Sequence, residues 1–175
     1  MVIIGIDPGT ATTGYGIIKV GKKKKGNKNI RVLDYGCITT EQDLTPGERL
    51  KKINNALNKL IRKYKPSVLS VENVYFFKNL KTAMPVSQAK GVILLTAAKK
   101  KIPVYEFTPL QMKMAIVGYG KAEKKQVQKM IKKLFNLEEK PKEKDKRKDD
   151  ATDALGIAYC CAVQLKNKLN FNIKT

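Results

Sequence analysis

The chain contains no histidine. No imidazole is therefore available as a catalytic base or metal ligand. Cysteine is sparse: Cys37, Cys160 and Cys161 fit neither a zinc site nor a disulfide framework. The adjacent pair falls where a helix is expected and reads as core packing. No apolar run approaches the roughly 18 residues of a membrane span, and no signal-peptide pattern precedes the first strand. A cytoplasmic protein without membrane contact is expected. Acids are scarce, 15 Asp and Glu against 36 Lys and Arg, for a formal net charge of +21. An excess of that size calls for a polyanionic partner, nucleic acid ahead of an acidic membrane surface. A lysine-biased composition is the competing reading and explains part of the charge. There are also no internal repeats and no linker between two cores. With 175 residues, 42% of them hydrophobic, the chain is expected to form one domain over residues 1–175.

What is present is an alternation of apolar strands and amphipathic helices. Val2, Ile3, Ile4 and Ile6 predict a buried first strand over 2–7. Residues 14–20 and 30–39 follow as strands, joined by a polar, Gly-bounded hairpin loop. Thr45, Pro46 and Glu48 have the chemistry of a helix start. Leu50, Ile53, Leu57, Leu60, Ile61 and Tyr64 then recur at helical spacing up to Pro66. Residues 67–72 predict a second buried strand. An apolar, small-residue helix follows over about 79–100, its regular part expected to begin near Pro85. Residues 103–107 read as a short strand. Residues 121–135 read as a basic helix with Val127, Met130, Ile131 and Leu134 on its apolar face. Residues 138–148 contain no hydrophobic side chain and are expected to form a mobile charged loop. A last helix is expected over about 150–168. The order βββ-α-β-α-β-α-α predicts an α/β fold. Its five-stranded mixed sheet has three antiparallel strands, then two parallel ones, with helices on both faces.

Within so basic a chain, four acids in apolar surroundings stand out. Asp7 and Glu72 each end an apolar strand, and functional groups in such sheets gather beyond the carboxyl ends of the strands. Asp150 and Asp153 are three apart on the last helix and share a face. Each has a plainer reading: Asp7 as a turn residue before Pro8 and Gly9, Asp150 as a helix cap, Asp153 as dipole compensation, Glu72 as a partner for one of the lysines. Together they describe a cluster whose mutual repulsion raises carboxyl pKa values unless a hard divalent cation relieves it. Mg2+ suits such oxygen ligands, two ions per site, and Mn2+ can substitute.

The segments IIGIDPGTATTGYGII, VLSVENVYFFKN, SQAKGV, MKMAIVGYGKAEKKQVQ and DDATDALGIA span nearly the whole chain. Through them the sequence resembles the RuvC family of Holliday junction resolvases. The resemblance implies an RNase H-like fold, a homodimer, and Mg2+-dependent nicking of two strands of like polarity in four-way junction DNA. It implies metal-binding and catalytic roles for Asp7, Glu72, Asp150 and Asp153, and catalytic roles for Lys113 and Lys124. It places Tyr75 against the junction, and the neighbouring Phe76 and Lys78, with Lys121 from the start of the basic helix, join it as substrate-binding candidates. Stacking of loop aromatics on unpaired bases is worth about 1–3 kcal/mol per base. A branch-migration helicase complex is the implied protein partner.

The sequence also departs from the family pattern. Asp150 stands where some members carry histidine. Lys90 in QAKG replaces an arginine and loses its planar fork. Pro85 interrupts a helix near the family's dimer contact. Other readings remain: a relative that cuts other branched nucleic acids, a DNA-binding module without catalysis, or an ATP-binding protein of the actin, Hsp70 and sugar-kinase type. The last shares GID-x-GT, but its two lobes hardly fit the available length.

Overall fold

The computed structural model describes residues 1–21, 30–73, 80–137 and 146–171. The strands are β1 (Val2–Asp7), β2 (Thr12–Val20), β3 (Ile30–Thr39), β4 (Val68–Glu72) and β5 (Val104–Phe107). The helices are α1 (Pro46–Tyr64), α2 (Leu80–Lys99), α3 (Pro109–Val117), α4 (Lys124–Phe135) and α5 (Lys146–Phe171). The sheet order is β3-β2-β1-β4-β5. β1 pairs antiparallel with β2 and parallel with β4. β2–β3 is antiparallel and β4–β5 parallel. The expected five-stranded mixed sheet is therefore present.

The period-two alternation of β1 divides the core. Ile3 packs with Ile116, Ile131 and Leu155 from α3, α4 and α5 on one face. Ile4 and Ile6 pack with Ile53, Leu57, Ala89 and Ile93 from α1 and α2 on the other. All three β1 isoleucines are fully buried, each contributing on the order of 1.5–3 kcal/mol. By the same alternation Asp7 turns toward the α5 face. In β4, Leu69 and Val71 join the α1–α2 core while Val68 joins the other, so Glu72 also faces α5. Ile6 lies beside Val71 in the parallel register, which puts the two terminal acids side by side.

A glycine track sets the depth of α5. Gly5 and Gly16 are paired across β1 and β2, and Gly14 is opposite Asp7. A Cβ on Gly16 would sit 2.6 Å from the Leu155 nitrogen, one on Gly5 2.6 Å from the Ala158 nitrogen, and one on Gly14 2.5 Å from the Asp150 carbonyl carbon. The α5 backbone thus rests directly on the strands, and its contact residues Ala151, Ala154 and Ala158 are small and buried. A glycine inside a strand marks such an approach.

Several details differ from the sequence reading. An additional helix, α3, follows β5. Thr108, Pro109 and Gln111 build its start, with Gln111 N–H donating to Thr108 Oγ1 at 3.1 Å and Thr108 N–H to Gln111 Oε1 at 2.9 Å. This is the chemistry of Thr45–Glu48, where a capping box also forms. Helix α2 runs through Pro85 instead of beginning near it. Proline removes one amide donor in the second turn, and burial of Ala89, Ile93 and Ala97 against the sheet holds the helix through that loss. Helix α5 begins at Lys146, within the segment expected to be loop, so Asp150 lies inside the helix and does not cap it. The remainder of that segment, 138–145, lies outside the described residues, as does the hairpin loop at 22–29. Helix α4 starts at Lys124, and Leu134 is 41% exposed while Gln128 is buried in its place. Cys160 and Cys161 are buried free thiols, and burial pushes them up to about 11 and about 12. No helix among the described residues is long and apolar enough to cross a membrane.

Candidate active site

The four acids are spread over more than 140 residues of the chain, and the sheet and α5 reunite them. Asp7 projects from the end of β1 toward α5. One helical turn separates Asp150 from Asp153, which puts both over the same strand end. Carboxylate oxygens of Asp7, Asp150 and Asp153 all lie within 4.8 Å of one another. Glu72 completes the group from the neighbouring strand and hydrogen-bonds Asp7 side chain to side chain. Two carboxyl groups can share such a bond only if one carries a proton.

The electrostatics follow from crowding. Burial first, then the charges of Glu72, Asp153 and Asp150, hold the Asp7 carboxyl well above the usual carboxylate range. Burial also raises Glu72; its hydrogen bond to Asp7 and the charge of Lys124 oppose the rise, and Asp153 adds to it. Asp150 is raised by burial against the pull of Lys124, with Asp153 and Asp149 adding repulsion. Lys124 is the cation that answers this charge. Its Nζ lies 2.7 Å from Asp153 Oδ2. Desolvation lowers its affinity for a proton, but the hydrogen bond and charge of Asp153, then Asp7 and Asp150, raise it above its ordinary value. Gln128, one turn further along α4, donates from Nε2 to Asp153 Oδ1 at 3.3 Å. Asp153 therefore has a partner on each oxygen, and its position is set by α4 as well as α5.

The donor set fits a hard divalent cation. Carboxylate ligands of one Mg2+ stand at about 2.0–2.1 Å, so opposite ligands are about 4.2 Å apart. The three carboxylate oxygens, all within 4.8 Å of one another, are spaced close to that separation. All the acidic donors are oxygen; no thiol and no imidazole is in the cluster.

A protein-family model described as Crossover junction endodeoxyribonuclease RuvC matches residues 3–161. The chain belongs to the RuvC family. It is 50% identical over 162 residues to the crossover junction endodeoxyribonuclease RuvC of Alkaliphilus metalliredigens, covering 93% of each chain. Among solved structures it is similar to Thermus thermophilus RuvC, with a TM-score of 0.82 at 29% identity over 96% of this chain and 97% of that one. It is likewise similar to Thermus thermophilus RuvC in complex with Holliday junction substrate, with a TM-score of 0.79 at 30% identity over 93% of each chain. The fold is RNase H-like, and the protein is a nuclease of the RuvC type.

Of the residues singled out in the sequence, Asp7, Glu72, Asp150, Asp153 and Lys124 come together. Lys113 stands on α3, partly buried, without an ion pair to the cluster among the described residues. Lys121 is exposed in the turn before α4. Tyr75, Phe76 and Lys78 lie outside the described residues. Sequence reasoning missed Gln128 and the glycine track. The signals were available: Gln128 is four residues after Lys124 and so on the same helical face, and Gly5, Gly14 and Gly16 interrupt otherwise apolar strands.

Proposed function

We propose that this protein resolves Holliday junctions by paired, divalent-metal-dependent nicks in two strands of like polarity. The observation that carries the reading is the convergence of Asp7, Asp150 and Asp153, with Glu72 bonded to Asp7, in a chain of net charge +21. Clustered acids beside a phosphodiester are unfavourable for a protein that only binds DNA, and they gain a purpose when a cation joins them. Asp7, Glu72, Asp150 and Asp153 would hold Mg2+, with Mn2+ as an alternative and two ions per site. Bound there, such ions make water a stronger nucleophile and stabilise the leaving oxygen.

The chain's own residues do the rest. Lys124 holds Asp153 at 2.7 Å and offers an ammonium group to charge developing on the phosphate. Gln128 fixes the other oxygen of Asp153. Lys113 and Lys121 are assigned to the scissile strand, and Tyr75, Phe76 and Lys78 to bases and phosphates at the crossover. A homodimer matches the two-fold symmetry of the junction and presents two sites to it. A branch-migration helicase complex is the expected partner in the cell.

The test incubates purified protein with a synthetic four-way junction and a duplex of matching sequence, with and without Mg2+. Symmetric incisions confined to the junction and requiring the ion are expected. Equal cutting of the duplex, or cutting without a divalent ion, overturns the reading.

A further inference from the structure

The outer face of α4 carries a shallow, open depression bordered by Lys125, Gln128, Lys129 and Lys132. We propose that it is a phosphate-backbone subsite, which takes consecutive phosphodiester groups of the strand to be cut, immediately beside the acid cluster. The inference rests on the nuclease reading above and names the part of the surface that holds the substrate next to the reacting phosphate.

The lining residues fall at i, i+3, i+4 and i+7, one face of a helix. Val127 and Ile131 point the other way, buried against α5, where a Cβ on Gly156 would lie 2.8 Å from Ile131 Cδ1. That packing fixes the height of α4 and presents Lys125 and Lys129, both exposed, outward. From Lys125 to Lys132 the helix rises about 10 Å, at ~1.5 Å per residue. Phosphates of one strand are spaced about 3.4 Å along a duplex axis, so this length spans about three of them.

Two features point to a phosphate chain over a small anion or an acidic protein. First, Gln128 borders the depression and the active site at once, since its Nε2 also donates to Asp153 Oδ1. A strand lying along this face is thereby one side chain from the cluster. Second, the lining holds cations and an amide with no apolar or aromatic wall, which suits a hydrated polyanion and offers nothing to a base or an acyl group. The placement also answers an electrostatic difficulty. The carboxylates of the cluster repel the DNA backbone, and adjacent lysines offset that repulsion where it is strongest.

The test compares the wild type with a Lys125→Gln/Lys129→Gln pair, and with a control pair, Lys51→Gln/Lys59→Gln, on exposed positions of α1 across the sheet. Binding to a four-way junction is measured from 50 to 200 mM salt. Each phosphate contact contributes about 0.9 to the slope of log affinity against log salt. The α4 pair is expected to lose about 1.8 of slope, so its affinity falls about 12-fold less than wild type's over that range. The control pair keeps the wild-type slope. Neutral methylphosphonate linkages at the three phosphates on one side of the cut should weaken wild-type binding and leave the α4 variant unaffected. An unchanged slope in the α4 pair, an equal change in the control pair, or equal loss by wild type and variant on the neutral linkages overturns the subsite. Absence of junction cleavage by the wild type overturns the nuclease reading instead, and is seen before any variant is made.

Discussion

Substituting Gly14 with alanine tests how the site is assembled. The new Cβ would stand 2.5 Å from the carbonyl carbon of Asp150, whereas ordinary contact begins at 3.4 Å. The obstruction is backbone, so no side-chain rotation relieves it. Strand β2 is held between β1 and β3 by ladders on both edges, which leaves α5 as the element that yields. A shift of at least about 0.9 Å in the first turns of α5 follows, since the Asp150 carbonyl oxygen lies closer still, and it carries Asp150 and Asp153 away from Asp7. Overpacking of this kind costs about 1–3 kcal/mol. For a chain of this size that lowers Tm by about 2–12 °C. Metal sites tolerate roughly 0.2 Å of error in ligand distance, and a displacement near 1 Å reduces catalysis by about 100-fold. The assay is single-turnover cleavage of a four-way junction at saturating protein, with thermal unfolding alongside. Cleavage should fall by about 100-fold or more while junction binding, carried by phosphate contacts away from the strand, is retained. Wild-type cleavage with an unchanged Tm would refute the argument that the glycine track sets the position of α5.

Gly47→Ala is the complementary substitution. Nothing lies within 4 Å of its would-be Cβ in the first turn of α1, so a gain of up to about 0.5–1 kcal/mol, read as a higher Tm with unchanged cleavage, is expected. Asp7→Asn abolishes cleavage and alters the pH dependence of stability in the metal-free protein. Because burial and its neighbours raise the folded-state affinity of Asp7 for a proton, the wild type is favoured below the unfolded carboxylate value of about 3.9. It loses that stability as pH rises through the higher folded value. The variant should show a smaller decline, since Glu72 and Asp150 remain raised by burial, and denaturant titrations between pH 4 and 8 check it; an equal decline in both proteins counts against the crowded-acid account. At neutral pH, Mg2+ should raise the Tm of the wild type and not that of the variant, by preferential binding to the folded site. Lys124→Gln removes the ammonium 2.7 Å from Asp153. It should reduce the cleavage rate at saturating protein by about 100–1,000-fold, as loss of one charge-stabilising donor does, with far-UV circular dichroism unchanged.

The sheet was legible because two-fold alternation and strand-end acids are local signals. Val2 to Ile6 and Val68 to Val71 announce buried strands from their own composition. The capping chemistry at Thr45 announced α1, and the same chemistry at Thr108 announced an α3 that went unread. Pro85 misled because a proline's effect depends on what packs beside it, and α2 is held by Ala89, Ile93 and Ala97. The start of α5 misled in the same way, since the polar residues before Asp150 have no periodicity that marks a helix. All four acids were grouped by pattern and family resemblance, and Lys124 was added by the resemblance. Gln128 looked like any polar residue of an amphipathic helix, and only its contact with Asp153 distinguishes it.

By itself the sequence determined the strands and most of the helices, the polyanion-seeking charge, and the identity of the acids. These depend on residue type and short spacing, which the chain carries without folding. The tertiary structure decided the distances: that α5 lies on Gly5, Gly14 and Gly16 with no side chain between, that its acids come within 4.8 Å of Asp7, and that α4 braces Asp153. Carboxylates from distant parts of a chain repel one another and have no local reason to meet. They are held together because close packing of α5 on the sheet leaves them no other position.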